Sequence, residues 1–162
     1  NSANRFLRSL GPERIRDLLR LRRTAGSLSG TPPPSRVTLL TSLNIPHSLL
    51  PRKPSIIRSV RVKLAVGGRT LCKHSQQGRE GRWGSDGGTE ADKSARAGTR
   101  VLEILQTTTW VNLHAVGGGW NDGVFEVREL NGYGARWSVD GTAFRGFLEP
   151  HMEDRHAKGW KH

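Results

Sequence analysis

Only one cysteine, Cys72, occurs in the chain, which excludes a disulfide scaffold and a thiolate zinc site. No run of about 18 apolar residues occurs, so no helix is expected to span a bilayer. Aromatic residues make up 6% and hydrophobic residues 34%, below the roughly 45–50% apolar share, glycine included, of ordinary globular domains. Twenty glycines and eight prolines in 162 residues add to the argument against a coiled coil or a large single-core enzyme. Carboxylates are missing over a long stretch, with none between Asp17 and Glu80.

What is present is divided unevenly. Residues 1–100 hold 20 of the 26 Lys and Arg but only 6 of the 14 Asp and Glu, a net charge of +14, whereas residues 101–162 carry −2. Aromatics divide the other way: only Phe6 and Trp83 precede residue 100, and the other eight follow it. Large aromatics supply much of a small core, so a core is expected in the last third. The resulting fold expectation is mainly β. A small antiparallel meander of three to four strands, with a short C-terminal helix or tail, follows a long, largely disordered basic N-terminal region.

Three regions follow: a basic, acid-poor segment over 1–75, a Gly-rich linker over 76–98, and the β domain over 99–162. Three readings of the front stay open. It has the Arg- and Ser-rich, acid-poor texture of an organelle transit peptide, with an amphipathic helix over 4–23 that Gly11–Pro12 interrupts. It also has the charge to hold nucleic-acid phosphates as a basic arm, although it lacks aromatics to stack on bases. The chain begins with Asn1 and its one methionine is Met152, so a processed product, a fragment or an upstream translation fits as well. Low hydrophobicity and one-sided charge cannot offset chain entropy there. Ser55–Val66 is the exception, with a strand-like alternation at Val60, Val62, Leu64 and Val66. Gly78 to Gly84 lacks the Gly-Lys-Ser/Thr ending of a phosphate loop.

From Thr99 the texture changes. Thr99 is placed to cap a short apolar run, Val101–Leu105, whose type the pattern does not decide. Strands are expected over 107–116, 124–130, 133–139 and 142–148, with Gly117–Gly119, Asn131–Gly132 and Asp140–Gly141 as turns. Two-residue alternation then assigns faces. Trp110, Phe125, Val127, Trp137, Val139, Phe144 and Leu148 form the expected core. Glu126, Arg128, Arg136, Ser138, Arg145 and Phe147 share the opposite face. Arg128, Arg136, Arg145, Phe147 and Tyr133 are the candidate binding surface for RNA or an acidic partner; a solvated face with Glu126 pairing one arginine is the plainer alternative.

No catalytic set is visible, and no cofactor is implied. Pro150 is placed to open a short C-terminal helix, with Gly159 as its stop and Trp160 docking back. His151, His156, Glu149, Asp154 and His114 are the residues from which a metal site would have to come, but His-x4-His puts its histidines on different helix faces, so no metal is assigned. Cys72 and His74 are sequence neighbours, which rarely form a catalytic pair.

The stretch Asn131-Gly132-Tyr133-Gly134-Ala135-Arg136-Trp137, with Gly146-Phe147-Leu148-Glu149-Pro150 and Gly159-Trp160-Lys161-His162, resembles the C-terminal end of a family of small uncharacterised plant proteins. The resemblance implies a plant source and makes the front a chloroplast or mitochondrial address; it assigns no activity. The function expected is a non-enzymatic accessory domain in an organelle, docking on a protein or ribonucleoprotein partner. The alternatives are nucleic-acid binding through residues 1–75, and a small metal-dependent enzyme using His151, His156 and Asp154.

Overall fold

The computed structural model describes residues 5–6, 9–24, 26–45, 64–77, 81–116 and 120–150. Among them run four helices and four strands: α1 (Pro12–Leu18), α2 (Arg36–Leu43), α3 (Val66–Gln77), α4 (Glu90–Thr107), β1 (Thr108–Val116), β2 (Trp120–Glu129), β3 (Gly134–Ser138) and β4 (Phe144–Leu148). The strands form one antiparallel sheet in the order β1-β2-β3-β4. The expected meander is therefore present, but the fold is not mainly β. Helix α4 packs on β2 and β3, α2 and α3 pack on β4, and these three helices pack on one another.

The helices arise where composition concealed them. Thr89 caps α4: its side chain accepts the Asp92 N–H, and Asp92 accepts the Thr89 N–H in return. This reciprocal box satisfies two otherwise orphaned donors. Ala97, Val101 and Ile104 then recur on one face of α4 and are fully buried, so Thr99 lies inside a helix instead of capping one. Val66, expected to end a strand, opens α3. Its first turn carries Gly67, where a Cβ would lie 3.2 Å from the Leu43 Cβ and 3.3 Å from the Ala97 Cβ. Close approach of three helices outweighs the poor helix propensity of glycine here. Residues 55–63 of the expected strand lie outside the described residues, as do Gly117–Gly119 and the C-terminal segment from His151.

The basic front and the Gly-rich stretch both contribute to the core where they are described. Leu39 and Leu43 of α2 are buried, and so is Trp83. The Trp137 indole N–H donates to the Leu39 carbonyl at 3.2 Å and to the Ser42 hydroxyl at 3.1 Å, which ties α2 to the sheet. Residues 22–24 and 26–28 run along the outer edge of β1. The Arg22 and Leu28 N–H groups donate to Val111 and Leu113, and Ala115 donates to Gly26, each at 2.8 Å. This strap occupies a strand edge that would otherwise present unpaired backbone groups.

Phe125, Val127, Trp137 and Phe144 lie in the core as expected, and Val139 packs against it. The expected turns also form, with Gly132 at φ +87° and Gly141 at φ +76°, the left-handed backbone that glycine adopts without a Cβ penalty. Among the described residues the sheet has three register irregularities, and two of them change expected faces. On β4, Arg136 opposes Gly146 while Trp137 opposes Phe144, so Arg145 is the extra residue. The bulge turns both Phe144 and Phe147 inward. Phe147 is therefore core, ringed by Phe144 at 5.1 Å and Trp83 at 4.9 Å. Leu148 is buried, but outside the main core cluster, opposite Gly134. On β1, Thr108 opposes Glu129 and Trp110 opposes Arg128, leaving Thr109 as the extra residue. Trp110 thus faces away from the helices, not into the core.

Two outcomes check this arrangement. Phe147→Ala should cost about 3–5 kcal/mol in denaturant unfolding, as for a buried aromatic; a cost under about 1 kcal/mol would return Phe147 to the solvent face. The second concerns the Asp140–Gly141 turn. Hydrogen bonds from the Ser138 hydroxyl and from the Thr142 N–H and hydroxyl hold the Asp140 carboxyl below the usual carboxylate range. A depressed folded-state value stabilises the fold above the unfolded carboxyl's titration, and that contribution is lost as pH falls through the folded value. Wild type should accordingly exceed Asp140→Ala in stability at neutral pH, and the gap should close on acidification; a pH-independent gap would contradict this.

Candidate active site on the sheet face opposite the helices

The alternation of β2 that sends Phe125 and Val127 into the core sends Glu126 and Arg128 to the other face. Antiparallel register then sets Asn112 of β1 and Arg136 of β3 on either side of Glu126, with Trp110 beside Arg128 and His114 beside Val124. Four ionisable side chains meet there. The Arg128 Nε donates to Glu126 Oε1 at 2.7 Å. Arg136 Nε lies 3.7 Å and His114 Nε2 3.4 Å from Glu126 Oε2. The His114 Nδ1 lies 3.1 Å from the Ala115 carbonyl, so it donates there, and Nε2 faces the carboxylate. Nε2 is buried and makes no hydrogen bond of good geometry.

The two arginines differ in freedom. Arg128 also donates from Nη1 to the Gly132 carbonyl at 2.6 Å and the Glu149 carbonyl at 3.0 Å. Its guanidinium is committed, and its role is to fix Glu126. Arg136 is only loosely paired and its side chain is 34% exposed, against 7% for Glu126. Two guanidiniums against one carboxylate leave the cluster net positive, with Arg136 free to bind an incoming anion. On the strap side, Ser27 donates to Asn112 Oδ1 at 2.9 Å and Asn112 donates to the Thr24 hydroxyl at 3.2 Å. The arrangement offers an acid–base pair beside a cationic group.

The remaining expected site residues lie elsewhere. Arg145 is exposed at the β4 bulge. Tyr133 and Phe147 lie on the helix side, where Tyr133 meets Trp83 edge-on at 5.5 Å and Arg82 stacks over its ring at 5.7 Å. The expected metal-site residues are dispersed. Glu149 Oε1 accepts from the Trp83 indole at 2.6 Å and sits 3.0 Å from His74 Nδ1, while His114 joins Glu126. His151, Asp154 and His156 lie outside the described residues. Among the described residues no three His, Cys, Asp or Glu gather to hold a metal ion, and no helix is long and apolar enough to cross a membrane. Sequence reasoning placed Glu126 and two arginines on one face but named His114 only as a candidate metal ligand, because cross-strand pairing, not spacing, brings it to Glu126.

A family model described as the CdiA C-terminal tRNase toxin domain matches residues 54–149. The chain belongs to that family. The match spans α3, α4 and the whole sheet, and so includes the His114–Glu126–Arg136 cluster. The chain is also similar to a solved structure, the toxic C-terminal tip of CdiA from Pseudomonas aeruginosa in complex with its immune protein. The two share 22% identity, with a TM-score of 0.48, over 67% of this chain and 98% of that one. No curated protein matches. Membership of this toxin family corrects the expectations of a plant protein family, of a non-enzymatic accessory domain and of a chloroplast or mitochondrial location.

Proposed function

We propose that the chain is a toxin nuclease that cleaves tRNA at the sheet face opposite the helices. The observation that carries the reading is the meeting of His114, Glu126 and Arg136 on that face, within a chain whose family is described as tRNA-cleaving. RNA supplies its own nucleophile, the ribose 2′-hydroxyl. Glu126, oriented by the Arg128 Nε–H, accepts the 2′-hydroxyl proton. The 2′-oxygen bonds to phosphorus, and the bond to the 5′-oxygen breaks. His114 Nε2 donates a proton to that leaving oxygen. Arg136 balances the charge that builds on the non-bridging oxygens. In-line displacement needs base and acid on opposite sides of phosphorus, so the His114 ring swings away from Glu126 as RNA enters. The products are a 2′,3′-cyclic phosphate and a 5′-hydroxyl.

Single-turnover cleavage of purified tRNA tests the assignment. His114→Ala and Glu126→Gln should each slow cleavage by roughly 100-fold or more, as loss of a general acid or base does. The glutamine keeps the size of the buried side chain and an amide oxygen that can accept from Arg128, which the Gly132 and Glu149 carbonyls continue to hold. His74→Ala is the control, because its contacts with Glu149 and Trp83 lie on the helix side; it should cleave at the wild-type rate. Cleavage lost with His74 and kept without His114 would place the chemistry on the wrong face.

A further inference from the structure

Trp110 lies on the same face as Glu126 and is left over by this mechanism. It stands on edge strand β1, opposite Arg128 in register. The bulge at Thr109 lets Thr108 turn toward Glu129 and the helices while Trp110 turns toward the site. The indole is partly exposed, outside the core cluster, and meets the His114 ring edge-to-face with centroids 6.1 Å apart and planes at 76°. Burying this indole in the core would have been favourable; the fold instead sets a large aromatic surface at the rim of a cationic acid–base cluster.

We infer that Trp110 is a stacking subsite for a single nucleobase next to the scissile phosphate, so that the RNA strand enters over β1. The inference rests on the site assigned above. A purine or pyrimidine ring is flat, and stacking on an aromatic side chain is tolerant of base identity. The His114 ring meets the indole while its Nε2 faces Glu126, so a base stacked on the indole brings the adjoining phosphate toward the imidazole. Stacking of this kind requires the nucleotide to be unpaired. The substrate is therefore a single-stranded loop or end of tRNA, not a paired stem.

The competing role is mechanical: Trp110 props the His114 ring and touches no substrate. Steady-state kinetics on tRNA separate the two, using Trp110→Leu and Trp110→Phe. Leucine keeps bulk without a π face, and phenylalanine keeps the face. For a stacking subsite, Trp110→Leu should raise KM by roughly 5- to 150-fold, Trp110→Phe should recover most of that loss, and the mapped cut should lie in an unpaired region. A propping role would lower kcat with KM unchanged, and that result, an unaffected Trp110→Leu variant or a cut within a stem would overturn the inference. If Trp110→Leu fails to fold, filter binding of tRNA to Trp110→Phe and wild type in a His114→Ala background serves instead; at least a twofold weakening is expected, and equal binding overturns the inference. If His114→Ala and Glu126→Gln both cleave normally, the site itself falls and this inference with it. If they are inactive and Trp110→Leu has a normal KM, the inference falls alone.

Discussion

Strand β2 is hydrogen-bonded on both edges, and its two-residue alternation ties the core to the site. Phe125 and Val127 face the helices; Glu126 and Arg128 face away. A slip of one residue would drive a carboxylate and a guanidinium into the core and turn two apolar side chains out. The burial that fixes the register therefore fixes the geometry of the His114–Glu126–Arg136 cluster as well. The neighbouring strands need only to pair correctly: β1 then delivers His114 and β3 delivers Arg136, with no loop required to find its place.

The helices hold this sheet from one side. Helix α4 lays Ala97, Val101 and Ile104 against it, and α2 is hooked to it through the Trp137 indole. Trp83 closes the far end beneath Tyr133 and Phe147, with its indole on Glu149. The Glu149 backbone carbonyl accepts from Arg128 across the sheet. Glu149 thus meets the helix-side cluster through its carboxylate and Arg128 through its backbone carbonyl, while the Gly132 carbonyl holds Arg128 independently.

Much of the sheet was legible in the sequence, because Asn131–Gly132 and Asp140–Gly141 carry a turn chemistry that depends only on neighbours. Alternation placed Glu126, Arg128 and Arg136 together for the same local reason. It failed at Phe147 and Trp110, where one extra residue in a bulge reverses the face; Leu148 is buried as expected. The helices were hidden for a different reason. Gly67 and Gly68 are poor helix formers, and α3 forms because α2 and α4 need their backbones close to it. In α4 the Thr89–Asp92 capping box was a readable signal, obscured by the surrounding glycines. His114 was visible as a histidine but not as a partner of Glu126, since a cross-strand pair has no sequence spacing. The family itself became evident only from the match over 54–149, since the composition of the front pointed to an organelle address.

The central claim is that an acid–base pair on the sheet face drives attack by the RNA's own 2′-hydroxyl. Mass spectrometry of the fragments left by the full chain acting on tRNA tests it directly. The account predicts a 2′,3′-cyclic phosphate on one new end and a 5′-hydroxyl on the other. A 5′-phosphate facing a 3′-hydroxyl would mean that water attacked and the 3′-oxygen left, which would contradict the roles assigned to Glu126 and His114.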